Sequence, residues 1–363
     1  MSTLKAEIVD LIRQEGPIGI GRYMALALGH PRHGYYMTRD PFGRDGDFTT
    51  APEISQMFGE LIGLWAAHLW QAMGAPPSFR LVELGPGRGT LMGDMLRATR
   101  IVPGFQEAAS VHLVETSPVL RRRQAAALAG RDPVWHDSVE EALSGPVILI
   151  ANEFLDALPL DQFVMTPEGW RERLVGIGAD GDLAFGLASG REASLRIAAE
   201  AGTIFEQPSL ALDIVAQVAG HVAAEGGASL FIDYGSARAG FGDTLQAMKR
   251  HAFVDPLAEP GEADLTVHVD FERVGQAALK AGAALHGPAS QREFLLALGL
   301  AQRAQALSLK ADAAQREAIS AAFDRLIAPG ETGMGDLFKV LALSHGNLPP
   351  LPGFDLHRLP DQG

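Results

Sequence analysis

The residues of this chain best suited to chemistry sit in "LVELGPGRGT", Leu81 to Thr90. An apolar run meets the carboxylate of Glu83. Gly85, Gly87 and Gly89 then recur at every second position, and a helix-like segment follows. In an open parallel sheet, ligands bind beyond the carboxyl ends of strands, where the strand order reverses. Glycines at such a place permit unusual backbone angles and close approach of a ligand. The loop has the outline of a nucleotide loop but lacks what a phosphate loop needs. A dinucleotide fingerprint requires G-x-G-x-x-G, and position 90 is Thr. A Walker loop ends in G-K-[ST], which is absent. Pro86 also removes a backbone N–H that an anion cradle would use. The loop suits adenosine without phosphates.

A second stretch agrees with this. "VHLVETSP" reads as a strand ending in Glu115. A carboxylate there accepts hydrogen bonds from both ribose hydroxyls and repels a 2′-phosphate. The short strand "VWH" is followed by Asp137 and Ser138, which can face an adenine edge. Glycines without phosphate signatures, together with a ribose carboxylate, describe a site for S-adenosyl-L-methionine. Methyl transfer is an in-line displacement, so the nucleophile must be aligned and desolvated. "ANEFLDALPLDQF" supplies Asn152, Glu153, Asp156 and Asp161 at the end of a fourth strand, beside the donor's methyl group. Glu153 and Asp156 are three apart, so one helical turn would set them on one face. The competing reading makes Asn152 the cap of a short helix, with the acids at its favourable end.

Other candidates cluster around the same place. Asp47, Phe48 and Glu53 precede a helix and form either a lid that excludes water or a plain capped helix start. "FIDYG" puts Asp233 and Tyr234 at the end of a fifth strand, over the pocket. "TVHVDF" holds His268, a residue more often structural, and Asp270, expected to cap the helix after it.

These groups need a scaffold. Strand patterns at 80–84, 111–115, 133–136, 146–151, 228–233, 284–286 and 336–343 alternate with helical ones at 90–99, 118–129, 209–224, 270–281, 291–307 and 312–327. Such alternation predicts an α/β fold, a Rossmann-like parallel sheet with helices on both faces. Residues 1–77 read as an N-terminal helical and lid lobe, and 78–363 as the sheet domain. In the lobe, Thr50 is the expected cap of a helix carrying Met57, Leu61, Leu64, Trp65 and Leu69. Residues 161–206 break the alternation, with turn signals at "PEG" and "ADGD", and read as a β insertion.

Composition narrows the partners. The chain has 363 residues, no cysteine and a formal net charge of −14. That excludes disulfides and thiolate metal sites, and argues against a nucleic-acid partner. The eleven histidines are scattered, so no metal is expected. Arg121, Arg122 and Arg123 read as the wet face of a helix. Acidic residues interrupt any leader pattern at the start, and no apolar run reaches a membrane span of ~18 residues. The expectation is a cytoplasmic protein with no membrane span, with oligomer formation left open.

"GDFTTAPEISQMFGELIG", "ELGPGRG", "ANEFLDALP", "LFIDYG", "GDTLQAMKRHAFVDP", "GEADLTVHVDF" and "MGDLFKVLALS" together resemble the MidA family. That family belongs to the class I S-adenosylmethionine-dependent methyltransferases. The resemblance covers nearly the whole chain. It departs slightly at Gly242-Asp243-Thr244, where the family often has Gly-Thr. It implies a class I methyltransferase sheet, and Glu83 among the donor-binding residues. It also implies symmetric dimethylation of an arginine on a subunit of respiratory complex I, a protein substrate. An arginine needs carboxylates to grip its planar fork and take its proton, the part Glu153 and Asp156 would play, with Asn152. Three other readings remain open at this point: an assembly or binding protein on a methyltransferase scaffold, an NAD-dependent oxidoreductase disfavoured by Pro86 and Thr90, and methylation of a small-molecule or nucleic-acid amine.

Overall fold

The computed structural model describes residues 3–39, 50–330 and 332–354. Asp47 and Phe48 lie outside them. The chain separates into two units. One gathers Met1–Phe48, Leu155–Asp213 and Arg238–His268; the other gathers Thr49–Phe154, Ile214–Ala237 and Val269–Gly363. Neither coincides with a boundary at residue 77.

The second unit contains the main sheet. Its principal strands are β1 (Phe79–Leu84), β2 (Ala109–Val114), β3 (Val134–His136), β4 (Val147–Asn152), β5 (Gly227–Ser236), β6 (Ala284–Ser290) and β7 (Phe338–Ser344), and the short Val269–Asp270 pairs with β5. They lie in the order β3-β2-β1-β4-β5-β7-β6. β7 runs antiparallel to both its neighbours, and the pairs from β3 to β5 are parallel. The order reverses between β1 and β4, so their carboxyl ends flank the crevice where such sheets bind ligands. All of "VILIAN" in β4 is buried, as a strand covered on both faces requires. Leu81, Leu113, Ile148 and Leu230 share one apolar core with Phe58, Ile62 and Trp65 of the helix Gln56–Ala72.

That helix packs against Thr90–Ala98, the helix that leaves the glycine loop, through two small residues. A Cβ on Gly59 would stand 2.6 Å from Asp94 Cβ, and one on Gly63 would stand 2.6 Å from Met95 Cα. Ser55, not Thr50, caps this helix: its hydroxyl accepts from Met57 N at 3.2 Å. Thr50 begins only the four-residue turn Ala51–Ile54, and its side chain makes no cap bond there. The helical pattern at 291–307 is also two helices, Gln291–Ala297 and Leu300–Ser308, because Gly299 takes φ +94 between them. Asp270 does cap the helix Phe271–Lys280, accepting from Arg273 N at 3.0 Å.

In the first unit, the strands Asp161–Thr166, Gly169–Ile177, Leu183–Leu187 and Ile204–Gln207 form the expected antiparallel insertion. Its hairpin turns fall at the predicted places. Ile18–Gly19 extends the same sheet, and a three-stranded sheet of Gln246–Lys249, Ala252–Val254 and Asp264–Thr266 completes the unit's strands. Leu4, Ile8, Tyr23, Met24, Tyr35 and Val175 are buried in a core of its own. Among the described residues, no helix is long and apolar enough to cross a membrane.

Two glycine substitutions on helices should have opposite signs. Gly63→Ala drives a methyl into backbone and should cost about 1–3 kcal/mol, as overpacking does. Gly220, inside the helix Ser209–Glu225, has nothing within 4 Å of its missing Cβ. Gly220→Ala should therefore stabilise by about 0.5–1 kcal/mol through helix propensity. Denaturant unfolding of both variants reads the difference, and equal effects would contradict the close helix approach at Gly63.

Candidate functional site

The glycine loop joins β1 to the helix Thr90–Ala98. Gly85, Gly87 and Gly89 have φ of +61°, +52° and +83°, the left-handed region that side-chain-bearing residues avoid. Gly89 N donates to Pro86 O at 2.7 Å and closes the turn. Space is short as well: a Cβ on Gly85 would meet Phe154 Cδ2 at 3.0 Å, and one on Gly89 would meet Gln124 Cα at 3.3 Å.

Beyond β2, Glu115 is buried. Its N donates to His136 O at 3.1 Å. Oε1 accepts from Ser117 N at 2.7 Å, and Oε2 accepts from Gln124 Nε2 at 3.1 Å. Burial raises the carboxyl's pKa, while these bonds hold it down. Gln124 is fully buried and also donates to Gly87 O at 2.7 Å; its Oε1 accepts from Trp135 Nε1 at 2.8 Å. Sequence reading missed Gln124. The only trace is a polar residue six positions after the proline that starts its helix, and nothing in the sequence marks it as facing inward.

Arg121 departs from the wet-face expectation. It donates to Glu115 O at 2.6 Å and His136 O at 3.1 Å, and pairs with Asp137 at 2.6 Å. Asp137 is therefore exposed and engaged with arginine. Ser138 sits at the N-cap of Val139–Ala142, its hydroxyl facing Glu141 N at 3.5 Å.

The end of β4 differs most from expectation. Residues 153–156 form no helix, so neither the one-face arrangement nor the capped helix exists. Glu153 takes φ +51, and its N donates to Ile232 O at 2.8 Å on β5. Phe154 N donates to Asp233 Oδ2 at 3.1 Å. These bonds to the neighbouring strand turn the chain where helical bonds would have run. Asp156 falls in the other unit, where its carbonyl accepts from Val267 N at 3.0 Å. His268 falls there too; its N donates to Thr244 Oγ1 at 3.0 Å, and burial lowers its imidazole pKa. Tyr234 is not over a pocket: it joins the apolar core, its ring 5.7 Å from that of Phe338.

Glu153 Oε1 accepts from Ala51 N at 3.2 Å and from Asn152 Nδ2 at 3.0 Å. Enclosure by protein pushes this carboxyl up to about 7. Glu53 accepts from the Thr90 hydroxyl and pairs with Arg88 at 3.5 Å. The Ala51–Ile54 turn is thus tied both to the glycine loop and to the end of β4.

Two buried acceptors at adjacent strand ends have no partner: Glu83 Oε2 on β1 and Asn152 Oδ1 on β4. Burial pushes Glu83 up to about 8. Partnerless acceptors are costly, and they fit a ligand that brings donors, as the ammonium and ribose hydroxyls of S-adenosyl-L-methionine do.

Comparison with known proteins agrees. Residues 61–289 match the family described as putative S-adenosyl-L-methionine-dependent methyltransferases. This chain belongs to that family. A Danio rerio protein named protein arginine methyltransferase NDUFAF7, mitochondrial, is 38% identical over 90% of this chain and 83% of its own. The Homo sapiens protein of that name is 36% identical over 92% and 81%. A Burkholderia thailandensis COG1565-superfamily structure, a likely methyl transferase bound to S-adenosyl-homocysteine, superposes with a TM-score of 0.85. It is 31% identical, covering 97% of this chain and 94% of its own. The protein is a class I methyltransferase, and S-adenosyl-L-methionine is its donor. When bound, the donor supplies a methyl group on a positively charged sulfur. The cytoplasmic expectation is corrected, because the curated relatives are named mitochondrial.

The two raised carboxyls make a pH prediction. An acid whose folded pKa exceeds its unfolded value near 4.5 loses stability as pH rises, because the folded state holds the proton longer. The contribution of these two groups to the stability of the ligand-free protein should fall as pH rises from about 4.5, through about 7 for Glu153 and about 8 for Glu83. Glu83→Gln should flatten that fall. Melting temperatures across this range test it, and a slope identical to wild type would remove Glu83 as a cause. Glu115→Ala should weaken S-adenosyl-homocysteine by about 1.5–3 kcal/mol for each charge-assisted bond lost, read by calorimetry on the folded variant.

Proposed function

We propose that this chain is a protein arginine methyltransferase that dimethylates an arginine symmetrically on a subunit of respiratory NADH:quinone oxidoreductase. The observation that carries the reading is Glu153, an acid with an ordinary value of 4.5 raised to about 7 at the donor end of β4. A guanidinium stays protonated in water. To attack a methyl group it needs an acceptor that is ionised at neutral pH yet basic enough to take a proton. Both hydrogen bonds to Glu153 fall on Oε1; among the described residues, Oε2 has none. Oε2 is the oxygen for the incoming fork. The names of relatives 33–38% identical to this chain support the arginine. The target subunit and the symmetric product follow from the MidA resemblance.

Glu83, Glu115 and Asn152 serve the donor in this reading. Glu53 and Arg88 hold the Ala51–Ile54 turn beside it. Asp233, in the same unit as these residues, is the candidate for the acceptor side.

Glu153→Gln keeps the shape and removes the charge. Donor affinity should survive, and turnover on the arginine substrate should fall by about 10²-fold or more. Unchanged turnover in the folded variant would return Glu153 to a backbone role. The substrate is tested by deleting the gene in its host and fragmenting complex I subunits by mass spectrometry. One subunit should lack symmetric dimethylarginine, and less assembled complex should be present. A retained mark would refute the substrate; label transferred from the purified protein to lysine, RNA or a small molecule would refute the arginine.

A further inference from the structure

We propose that Gln124 is a positioning residue for the methyl donor: it holds the carboxylate of Glu115 and the carbonyl of Gly87 to a single nitrogen. The proposal rests on the reading of Glu115 as the ribose acceptor. Gln124 sits on the helix Pro118–Ala127 with no exposed surface, so it acts through its neighbours and not on the ligand.

The orientation of its amide is dictated by partners that each have only one role. An indole N–H can only donate, so the end facing Trp135 must be Oε1. A carbonyl and an ionised carboxylate can only accept, so the end facing Gly87 and Glu115 must be Nε2, with its two hydrogens. Turning the amide over would break all three bonds at once. The glycine loop and the end of β2 therefore keep a fixed separation. The third loop glycine belongs to the same device. A Cβ on Gly89 would press on Gln124 Cα at 3.3 Å and lie 3.6 Å from Ala127 Cβ. The helix bearing the glutamine thus lies directly against the loop that it ties.

The link also favours the ionised form of Glu115 against its burial. Burial favours its protonated form, and a protonated carboxyl makes a poorer acceptor for two hydroxyls. Hydrogen bonds from Ser117 N and Gln124 favour the ionised form. A side chain of the same shape that cannot donate at high pH should therefore impair the donor site in a pH-dependent way.

The test is calorimetry of S-adenosyl-homocysteine on the full chain at pH 6 and pH 8.5, each variant expressed as a ratio to wild type. Gln124→Met keeps the bulk and loses all three bonds. It should weaken binding about tenfold at both pH values, in line with about 1.4 kcal/mol per factor of ten. Gln124→Glu should be weaker still at pH 8.5, where two carboxylates face each other. It should recover part of the loss at pH 6, where the introduced carboxyl carries a proton to donate. Trp135→Phe, which frees the amide to turn, should lose a few-fold. Ratios within twofold for all three variants, or equal losses in the Met and Glu variants at both pH values, would overturn the proposal; the second outcome would mean packing alone. If neither Gln124 variant folds, Trp135→Phe decides, and unchanged binding there overturns it. Glu115→Ala runs alongside. Unchanged affinity in that variant defeats the donor-site reading itself, whereas a loss there with silent Gln124 variants defeats this proposal alone.

Discussion

Three alternate residues of one loop must hold positive φ at the same time, and the rest of the site is built around that requirement. The backbone of Gly85 to Gly89 turns sharply between β1 and the helix Thr90–Ala98. Side chains at Gly85 and Gly89 would crowd neighbouring elements, which close in on the turn. Phe154 occupies the space beside Gly85, and the helix Pro118–Ala127 occupies the space beside Gly89. From outside, Glu53 reaches Thr90 and Arg88. Strand ends that would otherwise be separate loops become one connected surface. Its connections combine bonds to backbone, as from Gln124 to Gly87 O and from Ala51 N to Glu153, with side-chain pairs such as Glu53 with Thr90 and Arg88.

The electrostatics follow from this enclosure. Glu83, Glu115 and Glu153 all lie near the carboxyl ends of parallel strands, and burial raises all three. They differ in what offsets the burial. Glu115 receives a backbone N–H and an amide N–H, Glu153 receives a backbone N–H and the Asn152 amide, and Glu83 keeps one oxygen without a partner. Ser117 N and Gln124 partly offset the burial of Glu115, whereas Glu153, held through one oxygen, is raised to about 7.

Much of the fold was legible because its signals are local. Apolar runs such as "VILIAN", the glycine alternation and the hairpin turns at "PEG" and "ADGD" need no partner to be read. The α/β class, the seven strands and the glycine turn after β1 followed from them. The carboxyl end of β4 was not legible. Spacing put Glu153 and Asp156 on one helical turn, whereas bonds to Ile232 and Asp233 on β5 hold the chain in a left-handed bend. Those partners lie about eighty residues on, beyond the reach of a periodicity argument. Gln124 was missed for a similar reason: its importance lies in what Gly87, Glu115 and Trp135 present to it. Tyr234 erred the other way. An aromatic at a strand end looks like a site residue, but here the face it occupies is core.

Glu153 brings the backbone and the electrostatics together. A non-glycine residue at φ +51 costs on the order of 1–3 kcal/mol and persists only where its surroundings over-determine it. Here they do. Its own N–H is taken by β5, the following N–H by Asp233, and its carboxyl is held by Ala51 and Asn152. Glycine would relieve the backbone cost at once, so the side chain must repay what the backbone loses. Its bonds to Ala51 and Asn152 repay some of that, but both use a single oxygen. A carboxyl raised to about 7 by enclosure adds to the cost at neutral pH. Structure alone would favour glycine or asparagine at this position. The fold therefore keeps a strained acid at the carboxyl end of β4 and fixes it through one carboxyl oxygen, beside the turn that Glu53 ties to the glycine loop.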